Sequence, residues 1–202
     1  MSLLNNIITI QKYYKSYYIR KYIVIPSSYY QTKIWRKNRK WYKNGKSNEC
    51  EKYQINLIEK ILYCKLNKTN DRLKIDTFDI INKYNPMIND NGYEYTENFD
   101  SKLLYNNNIL YFNFKFVCDV GGFQTRTLRE VYYFIIYQLE YLLKNDKNNT
   151  YFINILDGDT CYNNMNKFLY LQNKEKYKKV INNIFIGDLH NFQKYYLKYI
   201  RL

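Results

Sequence analysis

The passage from Ile109 to Leu156 constrains this chain most. An apolar strand, Ile109–Val117, runs through Gly121-Gly122 into a long amphipathic segment and then a second apolar strand, Tyr151–Leu156. Paired glycines suit a tight strand-to-helix turn. Strand alternation sends Leu110, Phe112, Phe114 and Phe116 one way and Tyr111, Asn113, Lys115 and Val117 the other. Asn113 and Lys115 therefore share a face. Beyond the glycines, Leu128, Val131, Ile135, Leu139 and Leu142 form a helical stripe, and Phe134 and Ile136 broaden it. That width implies a helix buried on more than one side. Thr127 and Glu130 have the spacing of a capping box.

The flanking elements follow from the same periodicities. Ile55, Ile58, Leu62 and Leu66, with Glu59 among them, predict a helix over Glu49–Asn67. A second helix is expected over Thr77–Lys83, before the turn-rich Tyr84-Asn-Pro86. A strand at Tyr93–Phe99 is expected to pair with Ile109–Val117 through the loop Asn106-Asn107-Asn108. Downstream come a helix around Asn163–Leu171, a strand Ile184–Ile186 and a final helix from Asn191. Read in order, α-β-β-α-β-α-β-α predicts an α/β fold, a mixed sheet flanked by helices. No internal repeat interrupts it.

Charge divides the chain at about Asn48. Residues 1–48 hold no Asp or Glu, yet carry Lys12, Lys15, Arg20, Lys21, Lys33, Arg36, Lys37, Arg39, Lys40, Lys43 and Lys46. Most of the net charge of +14 therefore lies there. Tyr13, Tyr14, Tyr17, Tyr18, Trp35, Trp41 and Tyr42 are interleaved with these cations. Rings and cations so mixed can stack on bases and contact phosphates, or pack the segment onto the main domain. The reading is a basic aromatic arm, 1–48, ahead of a domain spanning 49–202, and a polyanionic partner such as nucleic acid. The wealth of Asn, Lys, Ile and Tyr (26 Tyr) fits an AT-rich genome, which itself contributes to the basic balance.

Cys50, Cys64, Cys118 and Cys161 are widely spaced and match no metal-binding pattern. They read as reduced thiols of an intracellular protein, in a cytoplasm or a virus-infected host cell. No signal peptide is expected, and no segment is long enough to span a bilayer. With Ser2 in second position, N-myristoylation is not expected. The lone His190 rules out sites that need two histidines, and no nucleophile-elbow motif is present.

The string GYEYTENFD, then FKFVCDVGGFQTRTLREVYYFI, then FINILDGD resembles small type II restriction enzymes of the PD-(D/E)XK superfamily. The resemblance covers roughly the last two thirds of the chain. It implies a restriction-endonuclease-like fold and Mg²⁺-dependent cleavage of double-stranded DNA at a short specific sequence. It assigns Asp100 the metal-ligand role and Lys115 the role of the lysine that stabilises phosphoryl charge. Asn113 stands where the family has Asp or Glu; its amide oxygen can ligate a metal but brings no charge. Glu59, Glu94, Glu97 and Asp119 are the carboxylates available to replace that charge. Gln124, Thr125, Arg126 and Arg129, at the start of the long helix, are the expected DNA contacts. Cutting a palindrome on both strands implies a two-fold homodimer.

Competing readings follow from the same residues. With Asn113 in the ligand position, the chain is also consistent with a catalytically inactive DNA-binding protein of the same fold. A basic structural protein that condenses nucleic acid is a third reading. Asp157-Gly-Asp159 superficially resembles a haloacid-dehalogenase-like phosphatase, with Asp157 as nucleophile and Asp159 as acid. Cys161 occupies the usual Thr position of that motif, however, and there is no room for its lysine segment. More simply, these aspartates and Asp188 end strands and cap the helices that follow.

Overall fold

The computed structural model describes Tyr14, Ile25, residues 27–30, Thr32 and residues 47–82, 96–105, 107–118, 121–145 and 149–199. The first helix whose bounds are described, α1 (Ser47–Leu62), turns Gln54, Ile58 and Ile61 inward. Three short strands follow, β1 (Asn67–Lys68), β2 (Arg72–Lys74) and β3 (Ile80–Ile81), and then β4 (Thr96–Asn98). β5 (Ser101–Tyr105) and β6 (Asn108–Phe116) form a hairpin joined by two residues. Asn107 takes the positive φ that such a turn needs. Then come α2 (Gly122–Lys144), β7 (Thr150–Asp157), α3 (Asp159–Gln172), β8 (Ile184–Gly187) and α4 (Leu189–Tyr199).

Five strands build one mixed sheet in the order β1-β5-β6-β7-β8. β5 runs antiparallel to both β1 and β6, whereas β6, β7 and β8 are parallel and joined through α2 and α3. The alternation on β6 decides what each face buries. Leu110, Phe112 and Phe114 join Ile153, Ile155 and Phe185 beneath α1 and α4. Tyr111 and Val117 join Phe152, Leu156, Ile184 and Ile186 beneath α2 and α3. Both faces are thus covered, which is why β6 and β7 read as nearly continuous apolar runs. Val131, Phe134, Ile135, Leu139 and Leu142 of α2 are all buried, as the broad stripe implied.

A smaller sheet, β3-β2-β4, is tied to the main one by Asp71. Its carboxylate accepts from Asn82 (2.6 Å), Lys102 (2.9 Å) and Tyr111 (3.0 Å). Burial works to raise this carboxyl, but the bonds from Lys102 and Tyr111 outweigh it and hold the group below its ordinary range.

Several expected elements are corrected. The partner of β6 is Ser101–Tyr105, while Thr96–Asn98 pairs with β2 in the small sheet. Phe99, between them, is buried against Tyr111, Phe134 and Phe152 and gives its N–H to the Asp71 carbonyl (3.2 Å), so the chain changes sheets there. Over the described part of the expected helix Thr77–Lys83, residues 77–82, a turn leads into β3 instead. The capping box does not form, because α2 already starts at Gly122. Thr127 donates its hydroxyl to the Phe123 carbonyl and Glu130 pairs with Arg126. Tyr13, Tyr17, Tyr18, Trp35, Trp41 and Tyr42 of the arm lie outside the described residues. Ile25, Ser28 and Thr32 are buried, and Ile25 packs into the core under α1.

Candidate active site at the end of the β5–β6 pair

β5 is preceded by a bend at Asp100. The Asp100 N–H donates to the Phe112 carbonyl (2.9 Å), and its own Oδ2 accepts the N–H of Phe114 (2.6 Å). The side chain therefore supplies an acceptor to β6 where the ladder with β5 has run out. This holds the carboxylate against β6, within electrostatic range of half-buried Lys115. On the other side lies β1, whose Lys68 pairs with Ser101, the residue after Asp100.

α1 covers this end of the sheet. Buried Gln54 donates to the Lys115 carbonyl (3.1 Å) and to Asp157 Oδ2 (2.8 Å), pinning the helix to β6 and β7. Glu51, one turn earlier, is thereby brought within electrostatic range of Asp100, Lys115 and Lys68. Burial pushes the Asp100 carboxyl above its ordinary range, and Lys115 and the Phe114 N–H pull it back. Burial also raises Glu51, the negative charge of Asp100 raises it further, and Lys115 and Lys68 counter both.

Two partly desolvated carboxylates so placed favour an added positive charge. Magnesium is commonly held by one or two carboxylates while keeping several waters, and Glu51 with Asp100 fits that donor set. Among the described residues, no three His, Cys, Asp or Glu converge as a metal cluster.

Glu51 was not singled out from the sequence; its signal was a polar pair, Glu51 and Gln54, on the helix face that continues with Ile58. Glu59 is engaged elsewhere. It accepts from Lys65 (2.6 Å) and the Leu66 N–H (3.0 Å) beyond the end of α1. Glu97 sits on β4 opposite Leu73, with its charge acting on Tyr137 of α2. Glu94 and Asp119 lie outside the described residues.

Asn113 is 1 % exposed, in a buried amide cluster. Its Nδ2 donates to Asn154 Oδ1 (3.0 Å), which also accepts from Gln138 Nε2 (3.1 Å), while Asn154 Nδ2 donates back to Gln138 (2.7 Å). Asn113 Oδ1 has no hydrogen-bond partner. Asn113→Asp would set a carboxylate against an acceptor in the core. It is expected to cost about 1–3 kcal/mol of stability, read as a lower urea midpoint. Tighter Mg²⁺ binding with stability unchanged would instead make Asn113 a metal ligand.

Three of the four expected DNA contacts share one groove. Gln124, Thr125 and Arg129 face α3 across a cavity of about 940 Å³. Arg126 is held by Glu130 (2.9 Å) on the exposed side of α2.

Asp157, which ends β7, and Asp188, which follows β8, both hold Ser28. Asp157, fully buried, accepts from Ser28 Oγ (2.7 Å), Gln54 Nε2 (2.8 Å) and the Leu189 N–H (3.3 Å). Asp188 accepts the Asn191 N–H (2.8 Å), capping α4, and the Ser28 N–H (3.0 Å). His190 Nδ1 lies 2.6 Å from the Ile25 carbonyl oxygen. Closed off in this way, Asp157 has no access to a substrate, which removes the phosphatase reading.

Burial pushes the Asp157 carboxyl up to about 7, and nearby Asp188 adds to the rise, against bonds from Gln54 and Ser28. The folded protein thus holds this proton more tightly than the unfolded chain does. Its contribution is complete below about pH 4 and falls away as pH rises to about 7. Wild type is expected to lose a few kcal/mol relative to Asp157→Asn between pH 5 and pH 8, measured by urea unfolding. Parallel pH profiles for the two proteins would contradict this.

Compared with known proteins, the chain matches no family model, no curated protein and no solved structure.

Proposed function

We propose that the protein is a Mg²⁺-dependent endonuclease that cuts double-stranded DNA at a short specific sequence, with a PD-(D/E)XK-like site. The observation that carries this reading is that Asp100, fixed to β6 by the Phe114 N–H, lies within electrostatic range of both Lys115 and Glu51. Support also comes from topology, in which an antiparallel pair bearing Asp100 and Lys115 leads through α2 into a parallel β7.

Asp100 and Glu51 would hold the cation, which when bound activates water and polarises phosphate. Lys115 offsets charge developing on the phosphoryl oxygens. Its field also favours the ionised, ligating form of Asp100. Gln54 keeps α1, and hence Glu51, seated over β6.

A second reading, DNA binding without cleavage, is favoured by β6 itself, which carries no carboxylate and buries Asn113 at the expected ligand position. Incubation of the purified protein with unmethylated plasmid DNA and Mg²⁺ separates the two. Discrete fragments with uniform ends are expected. Specific retardation of DNA without cutting would support the second reading, and sequence-blind binding that weakens steeply with salt would overturn both.

A further inference from the structure

The groove between the N-terminal half of α2 and the length of α3 has the features of a nucleotide site. Its volume, about 940 Å³, lies near the upper end of the range for small-ligand sites. One wall carries Gln124, Arg129 and Tyr132 of α2; the other carries Asn166, Lys167 and Tyr170 of α3. Tyr170 is 59 % exposed, and Lys174 lies 5.4 Å from its ring centroid. Thus four amide side chains, two cations and three aromatic rings line one concave space.

Each residue type answers one part of a nucleotide. Amide side chains pair with the hydrogen-bonding edge of a base. Exposed aromatic rings provide stacking faces, worth about 1–3 kcal/mol per base. Arg129 and Lys167 suit a phosphate, and they outnumber the one acidic side chain in the lining, Asp159. The groove also adjoins the candidate active site along the chain. Gly121 forms part of its wall, and β6 delivers Lys115 shortly before it.

We propose that this groove binds a single nucleotide unit of the DNA strand, extruded from the duplex, with its base against Tyr132 or Tyr170 and its phosphate at Arg129 and Lys167. The concave shape favours an extruded unit over a paired duplex, since a base must leave the stack to enter such a pocket. This rests on DNA being the substrate, and it deepens that reading by adding α3 to the recognition surface.

The test uses the full chain without Mg²⁺, titrated separately with each of the four deoxynucleoside 5′-monophosphates and followed by amide NMR shifts. Shift changes are expected at Gln124, Arg129, Asn166 and Tyr170, with one base preferred. Tyr170→Ala and Arg129→Ala should each weaken binding roughly tenfold. Both side chains are exposed, so the fold is expected to survive. Exposed Lys178, paired with Glu175 away from the groove, serves as a control when changed to alanine. Shifts elsewhere, no shifts at all, or equal loss in the Lys178 variant would overturn the proposal. The plasmid assay fails independently. Cutting without nucleotide shifts in the groove sinks this inference alone, whereas groove binding without cutting sinks the cleavage reading alone.

Discussion

Lys115→Ala is expected to lower the rate of DNA cleavage by about 10²- to 10³-fold, the loss typical when one preorganised stabiliser of developing charge is removed. Two effects act in the same direction. The proposed site would lose its ammonium for the phosphoryl oxygens, and the positive charge that pulls the Asp100 carboxyl down against burial is lost as well. Asp100 would then hold its proton to higher pH, so residual activity should rise with pH over a range where wild type is already level. DNA affinity should stay within about tenfold, because only one cation among many is removed. The measurements are single-turnover cleavage rates across pH and a gel-shift titration without Mg²⁺. Equal loss of affinity and rate would make Lys115 a DNA-anchoring residue. An unchanged rate would remove it from the chemistry.

The parts of the fold that were legible in sequence are those where one strong period decides the outcome. β6, α2 and β7 each present an uninterrupted apolar pattern, and their cores form on the faces that alternation assigns. β5 escaped notice because it is five residues long and its pattern is broken by Lys102, whose charge is satisfied by Asp71 from a distant part of the chain. Sequence spacing cannot reveal such a partner. The same limit applies to Glu51. It enters the site only because Gln54 docks α1 against β6, a contact across 61 positions. Glu59 looked better placed from sequence because it sits within the apolar repeat, but that position carries it to the end of α1, where Lys65 takes it. Spacing also suggested a capping box at Thr127 and Glu130. Only the backbone shows that the helix has already begun at Gly122, so these side chains turn to Phe123 and Arg126 instead.

Gly158→Ala is expected to destabilise the protein by more than about 3 kcal/mol, at the severe end for a single substitution. Gly158 joins β7 to α3 at φ 97°, where an L side chain is strained. Space is a second obstacle. A Cβ there would lie 2.1 Å from the Val117 carbonyl oxygen and 2.9 Å from the Val117 nitrogen, both backbone atoms that no rotamer change can move. Relief would require β6 to part from the β7–α3 turn. That would break the bonds from the Val117 N–H to Asp157 (2.9 Å) and from the Thr160 N–H to Val117 (3.2 Å). Lys115 is two residues from Val117 on the same chain, so cleavage should fall with stability. Gly122→Ala is the contrasting case. Nothing lies within 4 Å of its added Cβ, and it stands at the start of α2, so the change should be neutral or stabilising by about 0.4–1 kcal/mol. Urea midpoints of the two variants decide the matter. A Gly158→Ala protein as stable as Gly122→Ala would mean that the end of β6 yields at little cost, and a site that depends on its placement could not be held rigidly there.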